Sequence, residues 1–216
     1  MTDAATAAPL GLLGGTFDPV HLGHLRLAIE VREALDLAEV RLLPSAQTNL
    51  RDAACASTAQ REAMLRAALA DCAGARLVLD ARELARGGVS YTIDTLAALR
   101  AELGARPLCF ILGADAWNAL PRWQRWRALL DYAHFVVASR PGATLVRHAE
   151  IAAAWTEERA ALHVRPAGCV IACPIPLLPI SSTDIRARVA AGRCIDALVS
   201  PGVAALIARA GLYGAA

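Results

Sequence analysis

Two histidines three residues apart, His21 and His24, follow a pair of glycines, Gly14 and Gly15, in the run L-G-G-T-F-D-P-V-H-L-G-H over residues 13–24. Far along the chain, I-S-S-T-D-I-R over residues 180–186 sets three hydroxyl side chains ahead of an arginine, Arg186. Each segment reads as a loop that opens a helix, and the chemistry that suits both is the binding of a polyanion. The first turn of a helix leaves N–H groups without acceptors and carries the positive end of the dipole. Glycines let a phosphate approach the backbone closely. Histidines at i and i+3 share a helical face, so two rings can address one phosphate. An arginine in a first turn is disfavoured by the dipole unless an anion sits between them. Ser181, Ser182 and Thr183 can cap their helix or form a phosphate nest with its N–H groups. Asp18 is a candidate cap for the helix that begins near His21, and Phe17 and Pro19 are placed to brace the turn. The first segment is neither a Walker loop, for want of G-K-[ST], nor a dinucleotide fingerprint, for want of G-x-G-x-x-G.

The elements that position these residues alternate regularly. Apolar runs at residues 9–13, 40–43, 76–79, 108–112, 134–138 and 169–173 predict six strands. Helical patterns cover 22–35, 59–70, 92–103, a tryptophan-rich stretch after Gly113, 145–162, 183–191 and 203–210. Residues 45–58 and the charged segment up to Ser90 read as loops, with Glu83 and Arg86 a surface pair. Connections this long exclude hairpins, so the expected fold is α/β: a doubly wound parallel sheet with helices on both faces and a small C-terminal helical portion. Ligands of such sheets bind beyond the carboxyl ends of the strands, where Gly14–Gly15, Gly113–Asp115 and residues 181–186 all fall.

Composition narrows the classes. The 216 residues, 56% hydrophobic and 19% charged, fit one ordered domain spanning 1–216. A net charge of +2 gives no support to nucleic-acid binding. All 22 residues counted as Lys+Arg are arginine. Schiff-base and P-loop lysines are thereby excluded, and any cationic clamp on phosphate is arginine or histidine. Cys55, Cys72, Cys109, Cys169, Cys173 and Cys194 match no zinc spacing and are expected as small apolar core residues. There is no signal-peptide pattern and no membrane-length apolar run, so the expected location is the cytoplasm. Monomer and homo-oligomer are both compatible with the pattern.

Taken together, G-T-F-D-P-V-H-L-G-H and I-S-S-T-D-I-R resemble the signature pair of the H-x-G-H nucleotidylyltransferase superfamily. The segment D-A-R-E-L-A-R-G-G-V-S-Y-T-I-D-T-L at 80–96 is similar to that of the bacterial nicotinate-nucleotide adenylyltransferases. So are I-L-G-A-D at 111–115, Trp123, R-P-G at 140–142 and the terminal G-L-Y at 211–213. The resemblance covers nearly the whole chain. It implies a Rossmann-like fold and transfer of AMP from ATP to nicotinic acid mononucleotide, with nicotinic acid adenine dinucleotide and pyrophosphate as products, in NAD biosynthesis. It assigns His21, His24 and Arg186 to catalysis, with imidazolium rings supplying part of the positive field. Gly14, Gly15, Thr16, Phe17, Gly23, Gly113, Asp115, Ser182 and Thr183 go to ATP. Tyr91, Thr92, Trp123 and Arg51 go to the nicotinate nucleotide. Mg²⁺ is expected to arrive with ATP, with no metal site of the protein's own. Trp117 and Trp126 are expected to be core residues.

One segment departs from the family pattern. Where many relatives carry P-P-H-[KR] after the second strand, residues 45–51 read S-A-Q-T-N-L-R, and only Arg51 keeps the basic end. Three other readings stand beside the first: nicotinamide mononucleotide as acceptor, another phosphate acceptor, or a nucleotide-binding module without catalysis. Phosphopantetheine- and glycerol-phosphate-type relatives share the first and last motifs but lack the S-Y-T segment and the tryptophans that follow it.

Overall fold

The structure, a computed structural model, describes residues 7–47 and 53–214. Six strands form one sheet: β1 Leu10–Gly15, β2 Glu39–Pro44, β3 Leu77–Leu79, β4 Leu108–Gly113, β5 His134–Ser139 and β6 Val170–Pro174. Their order is β3-β2-β1-β4-β5-β6 and every neighbouring pair is parallel. The helices are α1 Leu22–Ala34, α2 Thr58–Ala70, α3 Arg82–Arg86, α4 Thr92–Leu103, α5 Ala114–Asn118, α6 Ala161–Val164, α7 Ser182–Ala190 and α8 Pro201–Arg209.

Strand side chains alternate between two apolar layers, which is why the strands read as continuous hydrophobic runs. Leu10, Leu12, Leu108, Phe110, Leu112, Phe135 and Val137 face one layer, with α4 and the tryptophans. Leu13, Cys109, Ile111, Val136 and Ala138 face the other, with α1, α2, α7 and α8. The α1 stripe of Leu25, Ala28 and Val31 is the buried face that docks it there. From β1 the chain winds outward to β2 and β3, then returns to pair β4 with the other side of β1. That reversal opens a crevice at the carboxyl ends of β1 and β4, where Gly14–Gly15 and Gly113 lie.

Several expectations are corrected. The charged loop after β3 contains α3, and Glu83 is buried in it rather than paired on the surface. Its Oε1 accepts the Thr95 hydroxyl at 2.7 Å, and Arg86 Nη2 donates to the same Thr95 oxygen at 3.1 Å. The helix expected over 145–162 is reduced to a 3₁₀ turn, Ala149–Ala154, and the short α6. The cause is the edge of the sheet: Trp155 bridges Val170, and the Thr156 N–H donates to the Val170 carbonyl, so this stretch runs extended to cover β6. After α5 the tryptophan-rich stretch continues as 3₁₀ turns, interrupted by Arg125 in a left-handed conformation (φ 51°). Trp117 and Trp126 are core residues as expected. Cys109, Cys169 and Cys173 are buried, but Cys55 and Cys194 are exposed and Cys72 half-buried, because those three lie outside the strands. None of the described helices is long and apolar enough to cross a membrane.

Candidate active site

The two histidines form an unusual cap. His21 is the N-cap of α1 and His24 its third residue. The His21 Nδ1 accepts the His24 N–H at 3.3 Å, and the His24 Nδ1 accepts the His21 N–H at 3.3 Å. This is the reciprocal geometry of a capping box, in which Ser or Thr with Glu or Gln ordinarily fill the two places. The rings stack with centroids 3.6 Å apart, and the Phe17 ring meets His24 edge-on at 5.0 Å. Since each Nδ1 spends its lone pair on a backbone N–H, the hydrogen-bond pattern assigns the proton of a neutral ring to Nε2, as a donor. His21 is buried, and burial pulls its imidazole down to about 4. Burial therefore favours the uncharged ring, a donor at Nε2, at neutral pH, against the imidazolium expected at this position. Gly23 lies against it: a Cβ there would stand 3.0 Å from His21 Nδ1 and 3.5 Å from the Ile180 Cβ.

α7 lies against the same turn. Arg186 Nη1 donates to the Asp18 carbonyl at 2.7 Å, and Ser182 Oγ donates to the Pro19 carbonyl at 2.9 Å. Residues 18 and 19 immediately precede the capped helix, so the two motifs meet across 163 residues of sequence. Ser181 is the N-cap, its side chain accepting the Asp184 N–H. Thr183 Oγ1 is 3.4 Å from Arg186 Nη2. With its hydroxyl donated to Pro19, Ser182 has its main-chain N–H left for an anion, as does Thr183, in the turn where a helix has no internal acceptors. Asp18 does not cap α1. Its carboxylate accepts the N–H groups of Cys55 at 2.6 Å and Ala56 at 3.1 Å, ahead of α2. Among the described residues no three His, Cys, Asp or Glu side chains stand close enough to hold a metal ion.

On the other side of the crevice, Tyr91 is the N-cap residue of α4 and Thr92 its first residue. The segment before them is tied to the chain after β2: the Ser90 N–H donates to the Gln47 carbonyl at 2.9 Å, and the Ala46 N–H donates to Ser90 Oγ at 3.0 Å. Trp123 is half-buried with its ring edge-to-face on Phe110, and Tyr91 packs against the same apolar layer. Gly113, at the end of β4, faces open space, and Asp115 is exposed in the first turn of α5. Arg51 lies outside the described residues.

The cytidylyltransferase-like family model matches residues 12–188. A Halorhodospira halophila protein named "probable nicotinate-nucleotide adenylyltransferase" is 47% identical over 212 residues, covering 95% of each chain. An Aeromonas salmonicida protein of the same name is 48% identical, covering 96% of this chain and 98% of its own. The chain belongs to the nicotinate-nucleotide adenylyltransferase family. The same fold is seen in the Plasmodium falciparum nicotinic acid mononucleotide adenylyltransferase complexed with NaAD, with a TM-score of 0.73 at 18% identity over 95% of this chain and 97% of that one.

In this member of the nicotinate-nucleotide adenylyltransferases, two residues to which the motifs assign no role hold the site together. Arg61 is fully buried and donates to the carbonyls of Thr16 at 2.8 Å, Ser45 at 2.8 Å and Ala46 at 3.1 Å. Burial pulls its guanidinium down, and the Asp18 charge opposes that pull. Arg61 thereby ties the glycine turn after β1 to the loop after β2. Its signal in the sequence is an arginine on an apolar stripe, since Arg61, Met64, Leu65 and Ala68 form the buried face of α2. The second is Tyr213, whose hydroxyl donates to Asp18 Oδ1 at 2.7 Å.

Proposed function

We propose that the protein transfers AMP from ATP to nicotinic acid mononucleotide, releasing nicotinic acid adenine dinucleotide and pyrophosphate, as a step of NAD biosynthesis. The observation that carries the reading is the meeting of three groups on one turn: the stacked His21–His24 pair that caps α1, and Arg186 of α7 bound to the carbonyl of Asp18. Family membership supports both substrates. The site is read as part of one domain formed by the whole chain.

The acceptor phosphate is already an anion at neutral pH, so no base has to remove a proton. One of its oxygens forms a bond to the α-phosphorus, the bond from that phosphorus to the bridging oxygen breaks, and pyrophosphate leaves with the electron pair. What remains for the protein is alignment and stabilisation of charge. In this reading His21 and His24 offer donors to the triphosphate from Nε2. Arg186 and the N–H groups of Ser182 and Thr183 hold the β- and γ-phosphates, with Gly14, Gly15, Thr16, Phe17 and Gly23 shaping the turn beneath. Gly113 and Asp115 line the nucleotide cleft. Tyr91, Trp123 and the N–H at Thr92 receive the nicotinate ring and its carboxylate, with Arg51 toward the acceptor phosphate. Mg²⁺ enters as part of the substrate, MgATP. The six cysteines are free thiols, which suits the reducing cytoplasm, and we place the enzyme there.

The test is pyrophosphate release from MgATP with nicotinic acid mononucleotide, nicotinamide mononucleotide or phosphopantetheine. The acid mononucleotide is expected to be the preferred acceptor. Preference for phosphopantetheine, or ATP binding with no release for any acceptor, would overturn the reading.

A further inference from the structure

Tyr213 lies far from the signature motifs, yet it reaches the centre of the site. Beyond α8 the chain turns back at Gly211 (φ 59°), with its N–H on the Ala208 carbonyl at 3.3 Å and the Leu212 N–H on the Ile207 carbonyl at 3.0 Å. Tyr213 is itself left-handed (φ 61°), a conformation that side-chain-bearing residues seldom adopt and that the surrounding contacts must hold. Its ring packs against the α1-side core, and its hydroxyl crosses 195 residues of sequence to donate to Asp18 Oδ1 at 2.7 Å. Burial and the bond to Asp18 push the phenol up from its usual range, so the hydroxyl keeps its proton.

Asp18 carries two kinds of contact. Its carboxylate takes three donors: the Cys55 N–H, the Ala56 N–H and the Tyr213 hydroxyl. Arg186 meets the same residue at its main-chain carbonyl. A carboxylate beside a guanidinium ordinarily forms a charge-assisted, often bidentate pair with it. Such a pair would occupy the donors that a triphosphate needs and cancel their charge. Here both carboxylate oxygens are engaged by two main-chain N–H groups and a phenol, and the guanidinium rests on a neutral oxygen.

We propose that Tyr213 is a positioning residue for ATP: its hydroxyl holds the Asp18 carboxylate on residues 55 and 56, and so keeps the Arg186 guanidinium available to the triphosphate. The proposal rests on the reading of Arg186 as a phosphate ligand. Removing the hydroxyl leaves one carboxylate oxygen short of a donor; Arg61 also feels that charge, but its Nη atoms are held by the Thr16, Ser45 and Ala46 carbonyls, whereas Arg186 already rests on the main chain of the same residue and can turn to its carboxylate.

The experiment compares wild type, Tyr213→Phe and Tyr213→Phe/Asp18→Asn in steady-state assays with each substrate varied, and in calorimetric titrations with MgATP alone. In Tyr213→Phe the KM and Kd for ATP should rise about tenfold, the size of one hydrogen bond to a charged group. The KM for nicotinic acid mononucleotide should stay within about twofold, because among the described residues Tyr213 packs on the α1-side core and not with Tyr91 and Trp123. The second substitution removes the competing charge and keeps one of the two acceptor oxygens, which Cys55 and Ala56 use separately, so ATP affinity should recover while any loss of stability is read apart in a thermal melt. A residue that served only stability would make the double variant worse than the single and would move both KM values together. Either of those results, or an unchanged ATP Kd in Tyr213→Phe, overturns the proposal. Should the double variant fail to fold, the split between ATP and acceptor in the single variant decides. A wild type without turnover would count against the functional reading, and the ATP titrations would still decide the role of Tyr213.

Discussion

Gly23→Ala separates the two jobs of the capped helix. An added Cβ would lie 3.0 Å from His21 Nδ1 and 3.1 Å from its Cε1, where ordinary contact begins at 3.4 Å. The ring must give by about 0.4 Å, and it has nowhere to go. It stacks on His24 at 3.6 Å, and the Ile180 Cβ, 3.5 Å from the new methyl, keeps the methyl from moving away. The bond from the His24 N–H to His21 Nδ1, already 3.3 Å, is the contact that yields. A displacement of about 1 Å in a catalytic group costs roughly a hundredfold, so a shift of about half that predicts a loss of about tenfold in kcat, or about 1.4 kcal/mol of barrier. Stability should hardly change, because alanine in a helix gains up to about 1 kcal/mol over glycine and offsets the crowding. The assay is kcat for pyrophosphate release beside a thermal melt. Wild-type kcat in a folded Gly23→Ala protein would refute the idea that His21 acts from this position.

Three other outcomes follow from the same geometry. His24→Ala should lower turnover by about 10²–10³, the size of one lost donor to a developing charge, with folding retained; near-normal turnover in the pyrophosphate assay contradicts the role. Arg61→Met leaves three buried carbonyls and the Asp18 carboxylate without their cation and should cost about 3–5 kcal/mol in urea unfolding; a change under about 1 kcal/mol contradicts the buried-clamp reading. His21, held down to about 4 when folded against an ordinary 6.5, binds fewer protons folded than unfolded, so its contribution to stability is complete above about pH 6.5 and lost as pH falls toward 4. That contribution is roughly 3 kcal/mol, and His21→Asn, which can still cap, should flatten unfolding free energy across this window; an unchanged slope contradicts it.

The strand pattern and both signature loops were legible because each depends on local rules. Two-sided apolar runs mark buried parallel strands, and glycine followed by helix periodicity marks the turn between β1 and α1. What escaped was decided by tertiary partners. Residues 145–162 carry helix-forming alanines, yet the need to cover the β6 edge draws Trp155 and Thr156 into extended pairing with Val170. Glu83 and Arg86 have the spacing of a surface pair, and only the approach of Thr95 from α4 makes Glu83 an interior group. Asp18 has the position of a cap for α1, but His21 fills that place and frees the carboxylate for Cys55 and Ala56. The protonation of His21 was misread for a similar reason: spacing places a ring on a helical face, whereas burial sets its charge.

A neutral His21 changes how the positive field must be divided. Two imidazolium rings stacked at 3.6 Å would repel each other, and the burial of one removes that conflict. The pair then supplies directed hydrogen bonds rather than a full double charge. In the proposed reading the positive charge on the donor phosphates then comes from Arg186, from the N-termini of α1 and α7 and from the Mg²⁺ that accompanies ATP, with Arg51 serving the acceptor. This places unusual weight on a single guanidinium in a chain without lysine. It also gives the Asp18 network its meaning, since a carboxylate one residue from Pro19 would be the strongest competitor for that charge. By directing it to Cys55, Ala56 and Tyr213, the fold holds the carboxylate off Arg186, the cation that the proposed reading gives to the phosphates.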